Sequence, residues 1–114
     1  MTLKEIIACI NGKLICSNGN EDVNITSACA SDLMSDVLTI DTDKMLLITG
    51  LVNLQTIRTA EMADVHTILF VRNKKVNEDM INLAKDSGIT LIESPVSMYN
   101  TCGMLYKAGL TPVY

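Results

Sequence analysis

Three short apolar runs constrain the fold of this chain more than any other feature. They occupy residues 45–49, 67–71 and 89–92, and nearly every position in them is apolar. Runs of four or five such residues are typical of strands covered on both faces, as in a parallel sheet. Helical patterns separate the runs, so the sequence predicts the order strand, helix, strand, helix, strand.

Polar caps mark where the helices begin. Thr2 and Glu5 have the spacing of a capping box at the start of a first helix. Asn53, Asn77 and Ser97 precede three later helices, to which they offer a side-chain oxygen. The apolar positions of these four helices recur at helical spacing, which predicts that they face inward: Leu3, Ile6, Ile7, Ile10, Leu54, Ile57, Ala60, Met80, Leu83, Ala84, Met98, Cys102 and Leu105.

In the N-terminal third of the chain, the spacing of apolar residues changes from that of a helix to that of strands. Residues 13–17 form a short apolar strand, residues 18–20 have turn chemistry, and residues 23–29 alternate as a half-buried strand does. These two strands are predicted to form an antiparallel hairpin. Ser31 is predicted to cap a helix that has Leu33, Met34, Val37 and Leu38 on one side. Residues 41–43 are predicted to form a polar turn. Residues 111–114 are predicted to form a tail that frays or docks on a neighbour.

These elements predict an α/β fold built by residues 1–114 as a single domain. Right-handed crossovers place helices on both faces of the sheet. The expected architecture is a three-layer α/β sandwich with a mixed, mostly parallel sheet and an N-terminal β-hairpin.

Composition excludes several classes of partner. The 114 residues are 48% hydrophobic and 19% charged, with a net charge of −4; this is a globular balance without the basic face that nucleic acid requires. No apolar run is long enough to span a membrane and no signal peptide is evident, which predicts a cytoplasmic protein. In that compartment Cys9, Cys16, Cys29 and Cys102 are expected as reduced thiols.

The loop after the first apolar run is a candidate ligand site, because open α/β sheets bind ligands beyond the carboxyl ends of their strands. Thr49, Gly50, Asn53, Gln55 and Arg58 place a hydroxyl, a flexible backbone, two amides and a guanidinium there. The alternative is structural: Asn53 only caps its helix, Thr49 only closes the strand, and Arg58 lies in solvent.

Ser31 and Asp32 form a second candidate, at the predicted start of a helix. Free N–H groups there favour an anion, but the Asp32 carboxylate already complements the helix dipole and would repel phosphate. Capping alone therefore explains both residues. Residues 72–75 form a basic group that would attract an anionic ligand at the same edge, unless they are only a solvated turn.

Catalytic and cofactor motifs are not recognisable. The glycine-rich loops of ATPases and dinucleotide-binding enzymes are missing, and the cysteines lack the spacing of a metal or redox site. No cofactor and no metal is predicted. His66 has no carboxylate or serine at a recognisable catalytic spacing, so an ordinary structural histidine is favoured.

Several segments together carry a family resemblance. They read DVNITSA at 22–28, ASDLMSDVL at 30–38, LITGL at 47–51, QTIRTAE at 55–61, FVR at 70–72, SMY at 97–99, CG at 102–103 and LYKAGL at 105–110. In this order the chain resembles the DRTGG domain, named for a motif Asp-Arg-x-Val-Thr-Gly-Gly followed by Ala-Ser-Asp-Leu-Met-Ser. Val23, Ser27 and Ala28 stand where the motif has its arginine and two glycines.

The resemblance implies regulation. DRTGG domains are similar to the N-terminal region of HPr kinase/phosphorylase and occur in phosphotransacetylases and CBS-domain pyrophosphatases, where other domains carry the chemistry. The leading hypothesis is therefore a non-enzymatic regulatory module that homodimerises and has a cleft for a nucleotide or phosphorylated metabolite. The alternatives are an adaptor subunit of a larger redox or signalling enzyme, without a small ligand, and a small enzyme that uses Ser31, Asp32 or His66.

Overall fold

The computed structural model describes residues 1–40 and 44–114, so the predicted turn at 41–43 lies outside the described residues. The described helices are α1 Leu3–Cys9, α2 Met34–Val37, α3 Leu54–Met62, α4 Glu78–Ser87 and α5 Met98–Lys107. The strands are β1 Lys13–Cys16, β2 Ser27–Ala30, β3 Met45–Thr49, β4 Thr67–Phe70, β5 Thr90–Glu93 and β6 Thr111–Pro112.

All six described strands belong to one sheet with the order β1-β5-β4-β3-β2-β6. The neighbours from β5 to β6 are parallel, whereas β1 is antiparallel to β5. The helices α3 and α4 connect the central parallel strands, as the strand–helix alternation predicts. The mixed, mostly parallel sheet is therefore confirmed.

Two apolar layers cover the sheet and make the three-layer sandwich. On one face α2, α3 and α4 pack against side chains such as Leu47, Ile68 and Phe70; on the other face α1 and α5 pack against Leu46 and Leu69. Every residue of β3 and β4 is buried. Burial on both faces explains why these strands lack the alternation of a half-exposed strand.

The predicted N-terminal hairpin is wrong, because β1 and β2 lie on opposite sides of the three central strands. The turn chemistry itself is present: the backbone N–H of Asn20 donates to the Asn18 side chain at 2.9 Å, and Gly19 has a positive φ of 89°. The Asn18 N–H donates to the Thr90 hydroxyl at 3.1 Å, which ties this loop to β5. The loop thus carries the chain across the end of the sheet.

The strand predicted at residues 23–29 is shorter than expected. Only Ser27–Ala30 forms β2, and its partners are β3 and β6. Val23 and Ile25 belong to the apolar layer under α1, whereas Cys29 contacts the opposite layer. The expected alternation therefore breaks between Ile25 and Cys29.

Part of the predicted tail at 111–114 is a strand of this sheet. Thr111–Pro112 forms β6, which pairs with β2 at the end of the strand order.

The helix caps at Thr2, Asn53, Asn77 and Ser97 are confirmed, since each side chain accepts a backbone N–H of its helix. The cap predicted at Ser31 is wrong. The helix α2 begins later, with Leu33 at its N-cap position and no side-chain cap.

The predicted apolar side of α2 is only half correct. Met34 and Val37 are buried, but Leu33 and Leu38 are 59% and 47% exposed. The chain bends at Asp32, the Ser31 hydroxyl bonds to the Leu33 backbone, and Leu33 itself is extended, so that α2 contains only four residues. A four-residue helix presents only one narrow buried stripe.

The Ser94 hydroxyl joins β5 to the end of α1. It donates to the Ile10 carbonyl at 2.6 Å and accepts the Val96 N–H at 3.2 Å, and Ser94 is fully buried. Ser94→Ala would leave both groups without this partner, so we expect it to lower the free energy of unfolding by about 1–3 kcal/mol. Urea unfolding measures this loss. The exposed Ser35→Ala should stay within about 0.5 kcal/mol of the unchanged protein, and an equal loss in both variants would contradict the assignment.

Candidate functional site

The carboxyl ends of β2, β3 and β4 meet at one edge of the sheet, because these strands are parallel neighbours. Asp32 lies two residues beyond β2, Thr49 ends β3, and Arg72 lies two residues beyond β4. Ligands of open α/β sheets bind beyond this edge. We call the group formed by Asp32, Thr49, Gly50 and Arg72 the Asp32 cluster.

Three donors converge on the Asp32 carboxylate. Its Oδ1 accepts the Gly50 backbone N–H at 2.7 Å and the Thr49 hydroxyl at 2.9 Å, and its Oδ2 lies 3.5 Å from the Arg72 Nη2. The same Nη2 donates to the Gly50 carbonyl at 3.4 Å. The carboxylate thus links the segment after β2 to the segments that follow β3 and β4.

Gly50 is needed in this arrangement because there is no room for a side chain there, and not because of its backbone angles. A Cβ atom on Gly50 would overlap the guanidinium of Arg72. The guanidinium therefore lies directly against the backbone that follows β3. An alanine at this position would push Arg72 away from Asp32.

Arg72 is held by an uncommon backbone conformation. Arg72 and Asn73 have positive φ angles of 63° and 58°, which residues other than glycine seldom adopt. Their N–H groups donate to the carbonyls of Val96 at 2.8 Å and Ser94 at 3.0 Å. These bonds to the segment after β5 stabilise the turn that brings the guanidinium back over Gly50.

The electrostatics of the cluster favour an anion at the position of Asp32. The hydrogen bond from the Gly50 N–H lowers the pKa of Asp32 most; burial opposes this shift, while the Thr49 hydroxyl and the positive charges of Arg72 and Lys74 reinforce it. The side chains of Asp32 and Arg72 are 46% and 48% exposed, so the cluster is open to solvent.

The structure brings together only part of the predicted site. Asp32, Thr49 and Gly50 lie in the cluster, whereas the Ser31 hydroxyl contacts Leu33 in its own loop. Asn53 accepts the Thr56 N–H at 3.0 Å and so acts as a helix cap. The other two predicted residues, Gln55 and Arg58, are exposed on α3 outside the cluster.

In the sequence, Arg72 is part of the basic group at residues 72–75. Its position two residues after a buried strand is the signal that places it at the ligand edge. The neighbouring Lys75 instead lies 3.6 Å from Glu93, whose carboxylate also accepts the Val76 N–H at 2.8 Å. Lys74 is exposed.

His66 lies at the amino ends of the parallel strands, immediately before β4. Its Nε2 is 3.3 Å from the Asp64 carboxylate, a partner that sequence spacing did not reveal. Ser31 and Asp32 are separated from it by the length of β4. The three residues of the small-enzyme hypothesis therefore do not meet in one site.

Among residues 1–40 and 44–114, no three histidine, cysteine or acidic side chains are grouped as a metal site would require. The cysteines are free thiols, and burial raises the pKa of Cys16, Cys29 and Cys102. Within the same part of the chain, no helix has the length and apolar character needed to cross a bilayer.

This chain is similar to a known protein in its three-dimensional structure. No protein-family model and no curated protein sequence matches the chain significantly. The chain is similar to the crystal structure of the CBS and DRTGG domains of the regulatory region of Clostridium perfringens pyrophosphatase, complexed with its activator diadenosine tetraphosphate. The TM-score is 0.80 at 15% sequence identity.

The alignment covers 98% of this chain and 48% of that chain, so this chain spans about half the length of its structural neighbour. At 15% identity the likeness shows the fold alone. It supports the DRTGG-like fold that the sequence motifs predict.

The hydrogen bonds of Asp32 predict a pH dependence of stability. Because the pKa of Asp32 in the folded protein lies below its ordinary value, the carboxylate stabilises the fold above about pH 4 and loses this effect as the pH falls further. Asp32→Asn should lower the free energy of unfolding by about 1 kcal/mol at pH 7, and the difference from the unchanged protein should shrink below about pH 4.

Urea unfolding between neutral and acidic pH measures this difference. The exposed Asp86→Asn on α4 is the control, and it should show no comparable convergence at low pH. A loss in Asp32→Asn that is constant with pH would show that its charge does not stabilise the fold.

Proposed function

We propose that this chain is a non-catalytic regulatory module that senses a small anionic ligand, a nucleotide or a phosphorylated metabolite, at the Asp32 cluster. The observation that carries the proposal is the convergence of the Thr49 hydroxyl, the Gly50 N–H and the Arg72 guanidinium on one anion. Guanidinium and backbone N–H groups are also the donors that bind phosphate. The structural neighbour from C. perfringens supports the ligand class, because its regulatory region is complexed with a dinucleotide activator.

Asp32 occupies the position that the ligand would take. Its carboxylate carries one negative charge, whereas a phosphate carries up to two and has more acceptor oxygens for the same donors. The side chain is 46% exposed and can turn into solvent. An anionic ligand would therefore replace Asp32 on Thr49, Gly50 and Arg72.

This replacement suggests how binding is transmitted. The Asp32 carboxylate holds the segment before α2 against the end of β3, while Met34 and Val37 anchor α2 itself in the core. Loss of the Asp32 bonds would free residues 31–33 without removing the apolar anchor. The exposed Leu33, at the N-cap position of α2, would then change the surface that it presents.

Calorimetric titration with diadenosine tetraphosphate and with ATP tests the proposed site. We expect Arg72→Gln to weaken binding about tenfold or more, which corresponds to about 1.4 kcal/mol, because it removes the guanidinium. Asp32→Ala should instead tighten binding, since the competing carboxylate is gone. Arg58→Gln is the matched comparison and should change the affinity less than about twofold.

Two results would contradict this assignment. If the unchanged protein binds neither diadenosine tetraphosphate nor ATP, the proposed anion-sensing function is wrong. Binding that Arg72→Gln leaves intact and Arg58→Gln abolishes would move the ligand from the Asp32 cluster to α3.

We also propose that the module works as a homodimer, with the outer face of α5 as the interface. Tyr99 and Tyr106 are 92% and 69% exposed on this helix, and tyrosine is enriched in protein interfaces. The same face favours the second candidate function, in which the chain is an adaptor subunit that binds a larger enzyme and no small ligand.

Light scattering coupled to size exclusion distinguishes the two functions. The homodimer predicts twice the chain mass of 12.4 kDa, and Tyr106→Glu should return the protein to monomer because it places a charge in the contact. Lys85→Glu on α4, on the opposite face of the sheet, should leave the dimer intact. A monomer at high concentration together with no nucleotide binding would favour the adaptor.

A further inference from the structure

A cavity of about 480 Å³ opens at the amino edge of the parallel strands, opposite the Asp32 cluster. The loop after β1 and the segments that lead into β2, β3 and β4 line it. Its volume is within the range of small-molecule sites, which is roughly 300–1,000 Å³. No residue of the Asp32 cluster lines this cavity.

The floor of the cavity is apolar. Val23 is half-buried, and Ile25 and Met45 are almost fully buried with 1% and 3% exposure. Val23 and Ile25 come from the segment before β2, and Met45 is the first residue of β3. Val23 is therefore the one of these three side chains with appreciable exposed apolar surface, which an apolar group of a ligand would remove from water.

The rim of the cavity carries charges of both signs. Lys44 supplies an ammonium group just before β3, and Asp64 supplies a carboxylate just after α3. The C-terminal ends of α3 and α4 lie here as well, at Ala63 and Gly88. Helix C-termini favour positive charge, so they reinforce the carboxylate of Asp64 on its side of the rim.

The backbone at both charged residues is uncommon. Lys44 and Asp64 have positive φ angles of 54° and 60°, a region that residues other than glycine, asparagine and aspartate seldom occupy. The Nε2 of His66 lies 3.3 Å from the Asp64 carboxylate, and the Asp64 side chain is 84% exposed. The positive φ angles thus define the backbone from which each of the two opposite charges extends.

We propose that this cavity binds a small zwitterion, namely an α-amino acid with an apolar side chain. Its carboxylate would pair with Lys44, its ammonium group with Asp64 and the adjacent helix end, and its side chain would pack on Val23. A ligand with only one charge would leave one side of the rim without a partner. This site is independent of the anion-sensing function proposed above.

Thermal unfolding with free L-leucine, L-methionine and L-phenylalanine as probes tests the site. At about 10 mM at least one of them should raise Tm by roughly 2 °C or more. Two relatives of leucine isolate the charges: 3-methylbutan-1-amine lacks the carboxylate, and 4-methylpentanoate lacks the amine. Each should produce less than half of the shift that leucine produces at the same concentration.

Two conservative variants locate the binding. Lys44→Asn and Asp64→Asn remove one charge each and keep a residue that tolerates positive φ, so the fold should persist. Each should weaken binding of the active amino acid at least about fivefold. Lys107→Asn on α5 and Asp79→Asn at the start of α4 are the charge-matched controls and should leave the affinity unchanged.

The proposal is overturned if none of the three amino acids raises Tm, or if the amine or the acid alone matches the amino acid. It is also overturned if Lys44→Asn and Asp64→Asn bind as the unchanged protein does. Binding of diadenosine tetraphosphate should be the same in both rim variants, which separates this site from the Asp32 cluster.

Discussion

Burial of the central strands on both faces is the constraint on which the rest of the structure depends. β3 and β4 expose almost no side chain, so helices must cover them above and below. Parallel neighbours covered in this way leave two free edges, one at the carboxyl ends and one at the amino ends of the strands. The Asp32 cluster occupies the first edge, and the cavity beside Lys44 and Asp64 occupies the second.

The Asp32 cluster connects the architecture to the proposed function. One carboxylate joins the ends of three strands, and it does so with donors that would serve an external anion equally well. The same contacts fix the bend at Asp32 that precedes the four-residue helix α2. In the proposed function, the ligand would replace an interaction that also stabilises the fold.

Local patterns predicted much of the secondary structure, because a helix cap or a buried strand depends on residues close together in the chain. The caps at Asn53, Asn77 and Ser97 needed no tertiary information. The hairpin between β1 and β2 failed for the opposite reason. A turn at Asn18 and Gly19 defines a change of direction, but the competition among apolar strands for the sheet centre decides which strand becomes the neighbour.

The sequence by itself determined that three apolar strands alternate with capped helices and that the first of these strands ends at Thr49, directly before Gly50. Only the tertiary structure decided that Asp32 binds to both and that Arg72 closes the cluster over Gly50. The reason is that each contact joins residues 17 to 40 positions apart, and hydrogen bonds at such separations form only when strand order brings their ends together. The meeting of Lys44 and Asp64 around one cavity follows from the same long-range packing.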